Sequence, residues 1–283
     1  MAISNPTFAD AAASYRSMGG EVKYFPRLLA RLGEKPVDQV TAGEIRFLAL
    51  ELFPHAKNST RNRHAITPCR AIMNHAHEMG WCNWLRIRSL PNAPARRYAP
   101  PDEEWLTTFV AFCDRNRLQK VAALILFMNH TGARVSEAID LLGEHVDLQS
   151  RTAVLVKTKT DRNSQRHLSK ELVRRIRMIG LRPGERVFGQ RCRHNVNDRL
   201  KCISRRAGLD YKSSHAVGRA AFATNALNMG LGIRTAMDAG GWRTARVFLE
   251  VYVHTAAAGR TVAARIDEHF PTPRRDILLL AAA

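Results

Sequence analysis

Four short segments of this 283-residue chain carry side chains able to do more than pack. In HTGARVSEA, Arg134 follows a Thr-Gly break at the opening of a helix. In KTKTDRNSQRHL, Lys157 and Lys159 approach a strand-to-strand turn. In SSHAVGRAAFATNAL, His215 and Arg219 stand four apart, which puts both on one face if the helix has already begun at His215. In GGWRTARVFLEVYVH, Trp242 leads a segment whose Val247, Phe248 and Val251 form an apolar face, with Tyr252 near its end. Arginine offers a planar fork of donors that suits phosphate oxygens, histidine exchanges a proton near neutrality, and tyrosine carries a hydroxyl. Taken singly, each has a plainer use: a surface arginine at a helix end, solvated lysines on a hairpin, a half-buried packing tyrosine.

The elements that must hold these groups fall into two parts. Residues 7–17, 22–32, 41–52 and 58–80 have the spacing of helices separated by Gly, Pro or polar breaks, with Gly80 as the last stop. NWLRIRSLPNAPARRYAPPDEE, rich in proline and arginine without periodicity, predicts an extended linker. A helix is expected over Glu103–Arg115, then one with Val121, Leu124, Ile125 and Met128 on its apolar face. After the break at Thr131-Gly132, Val135, Ala138, Ile139 and Leu142 begin another helical face. HVDLQSRTAVLVKTKTDRNSQRHLS predicts three short strands joined by turns at Gln149-Ser150-Arg151 and Asp161–Gln165. Helices with stops at Gly208, Gly230 and Gly240-Gly241 follow. The expected fold is mainly α with a small antiparallel sheet, an α+β arrangement.

Lys and Arg number 44 against 25 Asp and Glu, a formal charge of +19 that favours a polyanionic partner through counterion release. No apolar run approaches the length of a membrane span, and MAISNPTFADAAAS lacks the basic start and apolar core of a signal peptide. The five cysteines are odd in number and contain no CxxC pair, so neither a disulfide framework nor a zinc site is expected, and a reducing cytoplasm fits. Cys192 and His194 are close in sequence, but two ligands do not make a metal site.

Together, in this order, the four segments resemble the tyrosine recombinase family, of the phage integrase type, over about residues 101–256. HTGARVSEA looks like the box of the first arginine, HAVGRAAFAT like the box of the histidine and second arginine, and GGW followed by YVH like the box ending in the nucleophile. STRNRHAITPCRAIMNHAHEMGWC is similar to part of the family's helical core-binding domain. The resemblance implies a DNA-clamping domain over 1–92, a linker over 93–100, a catalytic domain over 101–270 and a tail over 271–283.

It also implies a site-specific recombinase that cleaves and rejoins double-stranded DNA through a 3′-phosphotyrosyl link to Tyr252, without metal, cofactor or ATP. Arg134 and Arg219 would hold the phosphate oxygens, Trp242 would donate its indole N–H, and His215 would act as general base. Lys159 would be the general acid, with Lys157 as the alternative. Glu137 would brace local structure. A homo-oligomer, a tetramer on DNA, is the implied working form, with an accessory DNA-bending protein as a further partner. Strand relaxation of the type IB topoisomerase kind, or a non-catalytic DNA-binding regulator of the same fold, are the alternatives.

Three departures from the commoner family pattern concern geometry. The histidine and second arginine are four apart instead of three, the HxxGR form of some phage-type integrases. Trp242 stands where a histidine is usual, and ten residues separate it from Tyr252, one more than is common. The helix register that delivers the Tyr252 hydroxyl is therefore the point for the structure to decide.

Overall fold

The computed structural model describes residues 5–21, 23–93, 99–156, 163–252 and 258–269. It divides into two compact units, Met1–Pro94 and Ala95–Ala283. The division falls inside the stretch expected as linker.

The first unit is helical: α1 (Phe8–Ser17), α2 (Phe25–Leu32), α3 (Ala42–Leu52), α4 (Asn58–Arg61) and α5 (Thr67–Glu78), the last two joined by a π-turn over Asn62–Ile66. Thr7 with Asp10 and Thr41 with Glu44 form capping boxes that start α1 and α3. The second helix starts at Phe25 instead of residue 22, with Pro26 in its first turn, where a missing N–H costs nothing. Phe8, Leu28, Ile45, Ile66, Ile72 and Met73 are fully buried in its core. Part of the proline- and arginine-rich stretch also belongs to this core. Ile87 and Leu90 are buried. Asn62 pairs with the Leu90 backbone in both directions at 2.8 Å, and Arg70 donates to the Ile87 carbonyl. The segment is extended, as proline-rich chain must be, yet it is held down by side chains of the preceding helix.

The second unit is built around α7 (Gln119–Thr131), buried on all sides from Val121 to Asn129, where the spacing predicted a single apolar face. Packed on it or beside it are α6 (Glu103–Arg115), α9 (Lys170–Ile179) and α10 (Arg193–Arg206). Gly132 ends α7 in a left-handed conformation, φ 65°, and a Cβ there would also lie 2.9 Å from the Phe222 ring. The next helix, α8 (Val135–Ile139), is shorter than the apolar spacing predicted: Leu142 lies beyond it, bridged to Arg186.

Strands β1 (Val146–Asp147), β2 (Thr152–Leu155) and β3 (Ser164–His167) form one antiparallel sheet in the order β1-β2-β3. Ser164 and Gln165, expected in the turn, begin β3 and pair with Leu155 and Val154. The chain then continues through α11 (Ala221–Asn228), α12 (Ile233–Gly240), the short α13 (Ala245–Val247) and α14 (Ala258–His269). π-turns cover Ala216–Ala220 and Phe248–Tyr252. Among the described residues no helix is long and apolar enough to cross a membrane.

Candidate active site

The turn after α7, the starts of α8 and α10 and the π-turns over Ala216–Ala220 and Phe248–Tyr252 meet at a cleft of about 700 Å³ in the second unit, and Arg134, His215, Arg219 and Tyr252 all line it. Arg134 is the residue before α8. Its backbone N–H and its Nη1 both donate to the carboxylate of Glu137, at 2.8 and 2.5 Å. Glu137 thus braces Arg134, the part expected for it, and is itself buried.

Arg219 is almost fully buried in the π-turn ahead of α11. Its Nη1 donates to the carbonyls of Gly132 (2.8 Å) and Gly240 (3.0 Å), which are left over at the ends of α7 and α12. Its guanidinium carbon lies 3.6 Å from the centre of the Trp242 ring, a cation–π contact. Trp242 in turn stacks near Phe222 and meets Phe248 and Tyr252 edge-on. The Tyr252 ring is 5.2 Å from that of His215, and only 6% of the residue is exposed.

Trp242 departs from the place expected for it. Trp242 packs behind Arg219 and does not line the cleft; its indole Nε1 is buried with no hydrogen-bond partner among the described residues. Lys157 and Lys159 lie outside the described residues. Of the apolar face expected to carry Tyr252, Phe248 is fully buried but Val247 is 45% exposed.

The electrostatics follow from crowding cations into a dry corner. Burial, then the Arg219 and Arg134 charges, push the His215 imidazole down to about 4, so it is neutral at pH 7 and able to accept a proton. Burial and then Arg134 lower the Arg219 guanidinium to about 10, with Tyr252 and Glu137 opposing, so it stays charged at neutral pH. An anion entering the cleft would meet a positive field already in place.

The two altered spacings have a common structural form. His215 to Arg219 spans the π-turn Ala216–Ala220, and the longer run from Trp242 ends in the π-turn Phe248–Tyr252. A π-turn bonds i to i+5 and so takes one extra residue into a helix. The fourth residue of the wider turn lands near where the third lands in an α-helix, so both groups still face the cleft. The helix has begun at Ser214, as the sharing of one face requires.

Sequence reasoning missed several cleft and near-cleft groups. Arg193 and His194, at the start of α10, and Tyr211 complete the cleft wall. Arg166 on β3 is buried beside the Gly240 carbonyl, which its Nη2 reaches at 3.3 Å. Nothing in the sequence marks Arg166: a polar residue in a short strand looks solvent-facing. Among the described residues no three His, Cys, Asp or Glu side chains gather as a metal-binding group.

The phage integrase family model matches residues 102–258. No curated protein matches in sequence. Among solved structures, the chain is similar to the Tn1549 transposon integrase in complex with a circular intermediate DNA, with a TM-score of 0.70 at 16% identity over 92% of this chain and 99% of that one. It is also similar to the XerH site-specific recombinase bound to a palindromic difH substrate, TM-score 0.64 at 15% identity over 91% of this chain and 76% of that one. XerA recombinase superposes with a TM-score of 0.53 at 16% identity, over 94% and 99% of the two chains. At these identities the likeness speaks for the fold, and the residues of the cleft must speak for the chemistry.

Proposed function

This chain belongs to the phage integrase family, and we propose that it is a site-specific DNA recombinase whose cleft cuts one strand by attack of Tyr252 on a phosphodiester. The observation that carries the residue assignment is the convergence of Arg134, His215, Arg219 and Tyr252 on one cleft. Attack on a phosphodiester adds negative charge to the non-bridging oxygens. Arg134 and Arg219 hold those oxygens with charge-assisted bonds. Arg219 keeps Nη1 on two backbone carbonyls, which leaves its other donors for the phosphate. Trp242 packs against the guanidinium and restricts its swing.

Neutral His215 takes the Tyr252 proton as the P–O bond forms. Lys159, or Lys157, protonates the departing 5′ oxygen. The product is a 3′-phosphotyrosyl link and a free 5′ hydroxyl. The link conserves the energy of the broken bond, so a 5′ hydroxyl from another strand can displace Tyr252 without ATP.

The partner is double-stranded DNA, in line with the +19 charge. The helical first unit grips the duplex, and the working form is a tetramer, assisted by a DNA-bending protein. Exposed Val262 and Ile266 on α14 suit that helix to contact with another copy. Action on DNA fits the cytoplasm.

The test is a nicked suicide duplex, built on sites selected by binding from a random-sequence pool. A covalent protein–DNA band on a denaturing gel is expected with the unmodified chain and none with Tyr252→Phe. An adduct that survives this substitution removes Tyr252 as nucleophile.

A further inference from the structure

The inner face of the small sheet holds Ala153 and Leu155 of β2 and, among them, Arg166 of β3, only 3% exposed. Ala153 is the register partner of Arg166, so a small residue stands across from the long one on the same face. A buried guanidinium is costly unless its donors are used, and an apolar side chain of similar volume would stabilise the sheet at least as well. Among the described residues Arg166 makes no ion pair. Its Nη1 donates to the Ser164 hydroxyl (2.8 Å) and the Gln165 carbonyl (3.2 Å), and its Nε has no partner.

Its remaining bond leaves the sheet. Arg166 Nη2 donates to the Gly240 carbonyl, the same oxygen that accepts from Arg219 Nη1. The fit is close: Gly241 is left-handed, φ 68°, and a Cβ on it would lie 2.5 Å from Arg166 Nη2. Trp242, which covers the Arg219 guanidinium, follows directly. Burial lowers the Arg166 pKa, Glu137 opposes this and Arg134 adds to it, which puts Arg166 in one electrostatic group with the residues of the cleft.

We propose that Arg166 is a positioning residue for strand cleavage. It pins the Gly240-Gly241 turn to β3, fixes the carbonyl that orients Arg219, and so holds Arg219 and Trp242 at the angle the phosphate requires. It does not line the cleft and acts through these neighbours. This inference rests on the strand-cleavage reading above.

The experiment measures the single-turnover rate of adduct formation on the nicked duplex, DNA affinity by mobility shift, and thermal melting. The proteins are the unmodified chain, Arg166→Gln and Arg166→Lys. The expected result is a rate about 10–100-fold lower in Arg166→Gln, because a small misplacement of a clamping group costs about that much. DNA affinity should stay within about twofold, and Arg166→Lys, which keeps a charged donor, should recover part of the rate. The proposal is overturned if Arg166→Gln cleaves at the unmodified rate. It also fails if rate, affinity and melting fall together and lysine restores nothing. Should Arg166→Gln not fold, Arg166→Lys decides: slower cleavage with unchanged melting supports the proposal, and an unmodified rate overturns it. Failure of both variants to fold makes the arginine purely structural and also overturns it. An unmodified protein that gives no adduct refutes the cleavage reading itself, so the two failures are told apart in one gel.

Discussion

The second unit contains two apolar clusters of different character. One surrounds α7 and is lined by large side chains, among them Phe109, Phe127, Phe188, Leu124 and Ile125, all essentially inaccessible. The other holds Tyr252, the proposed nucleophile: Trp242, Phe248 and Tyr252 rest on alanines 220, 223, 226 and 236. Around this second cluster Met229, Ile233, Val247 and Leu249 are exposed. Alanines bury little area per residue, so the segment carrying Tyr252 is held by far less apolar contact than the helix behind Arg134. Dense packing thus lies behind Arg134, and the smaller alanine-rich cluster backs Tyr252 together with the Trp242 ring that covers Arg219.

Four measurements break or sharpen this contrast, the largest effect first. Replacing Arg219 by Ala should slow adduct formation about 10²–10³-fold while DNA affinity changes little. Equal loss of both would reduce it to an ordinary phosphate contact. Phe109→Ala, in the larger cluster, should cost about 3–5 kcal/mol of global stability in urea unfolding. A loss below about 1 kcal/mol would mean that the larger cluster is not the rigid one.

Phe248→Ala should act locally. Amide exchange over 245–252 should speed up and cleavage should slow, while the urea midpoint moves less than for Phe109→Ala. If the midpoint falls as far, the two clusters form one cooperative unit. The smallest effect concerns pH. The His215 pKa is lowered from 6.5 to about 4 in the folded chain, so between these values the unfolded chain binds a proton that the folded cleft refuses. The stability this group contributes is present above pH 6.5 and is lost as the pH falls towards 4. The melting temperature should therefore drop more steeply over that window in the unmodified protein than in His215→Gln, and parallel curves would remove His215 as the cause.

Much of the frame was legible in advance. The helix Glu103–Arg115, the stop at Gly132 and the three strands follow from periodicity and turn residues, which are local properties. Legibility ended where a residue's role depends on what lies across from it. Arg166 is buried because Ala153 faces it and Gly240 receives it, and neither fact is written next to Arg166 in the chain. The helix after Arg134 ends at Ile139, and Leu142 beyond it bridges to Arg186, far along the chain. The two longer spacings could have meant displaced groups; the wider turn of a π-helix makes them compatible with one cleft.

The sequence by itself determined the kinds of candidate reacting group and their order along the chain: Arg134, then His215 with Arg219, then Trp242 and Tyr252. Identity and spacing are one-dimensional facts, and they were enough to suggest phosphoryl transfer. Only the tertiary structure decided which groups face the cleft and what holds them. The carbonyls that aim Arg219 lie 87 and 21 residues away, and Trp242 turned out to brace the guanidinium from behind. Hydrogen-bond geometry and burial are set by chain segments brought together in space, and no local pattern encodes them.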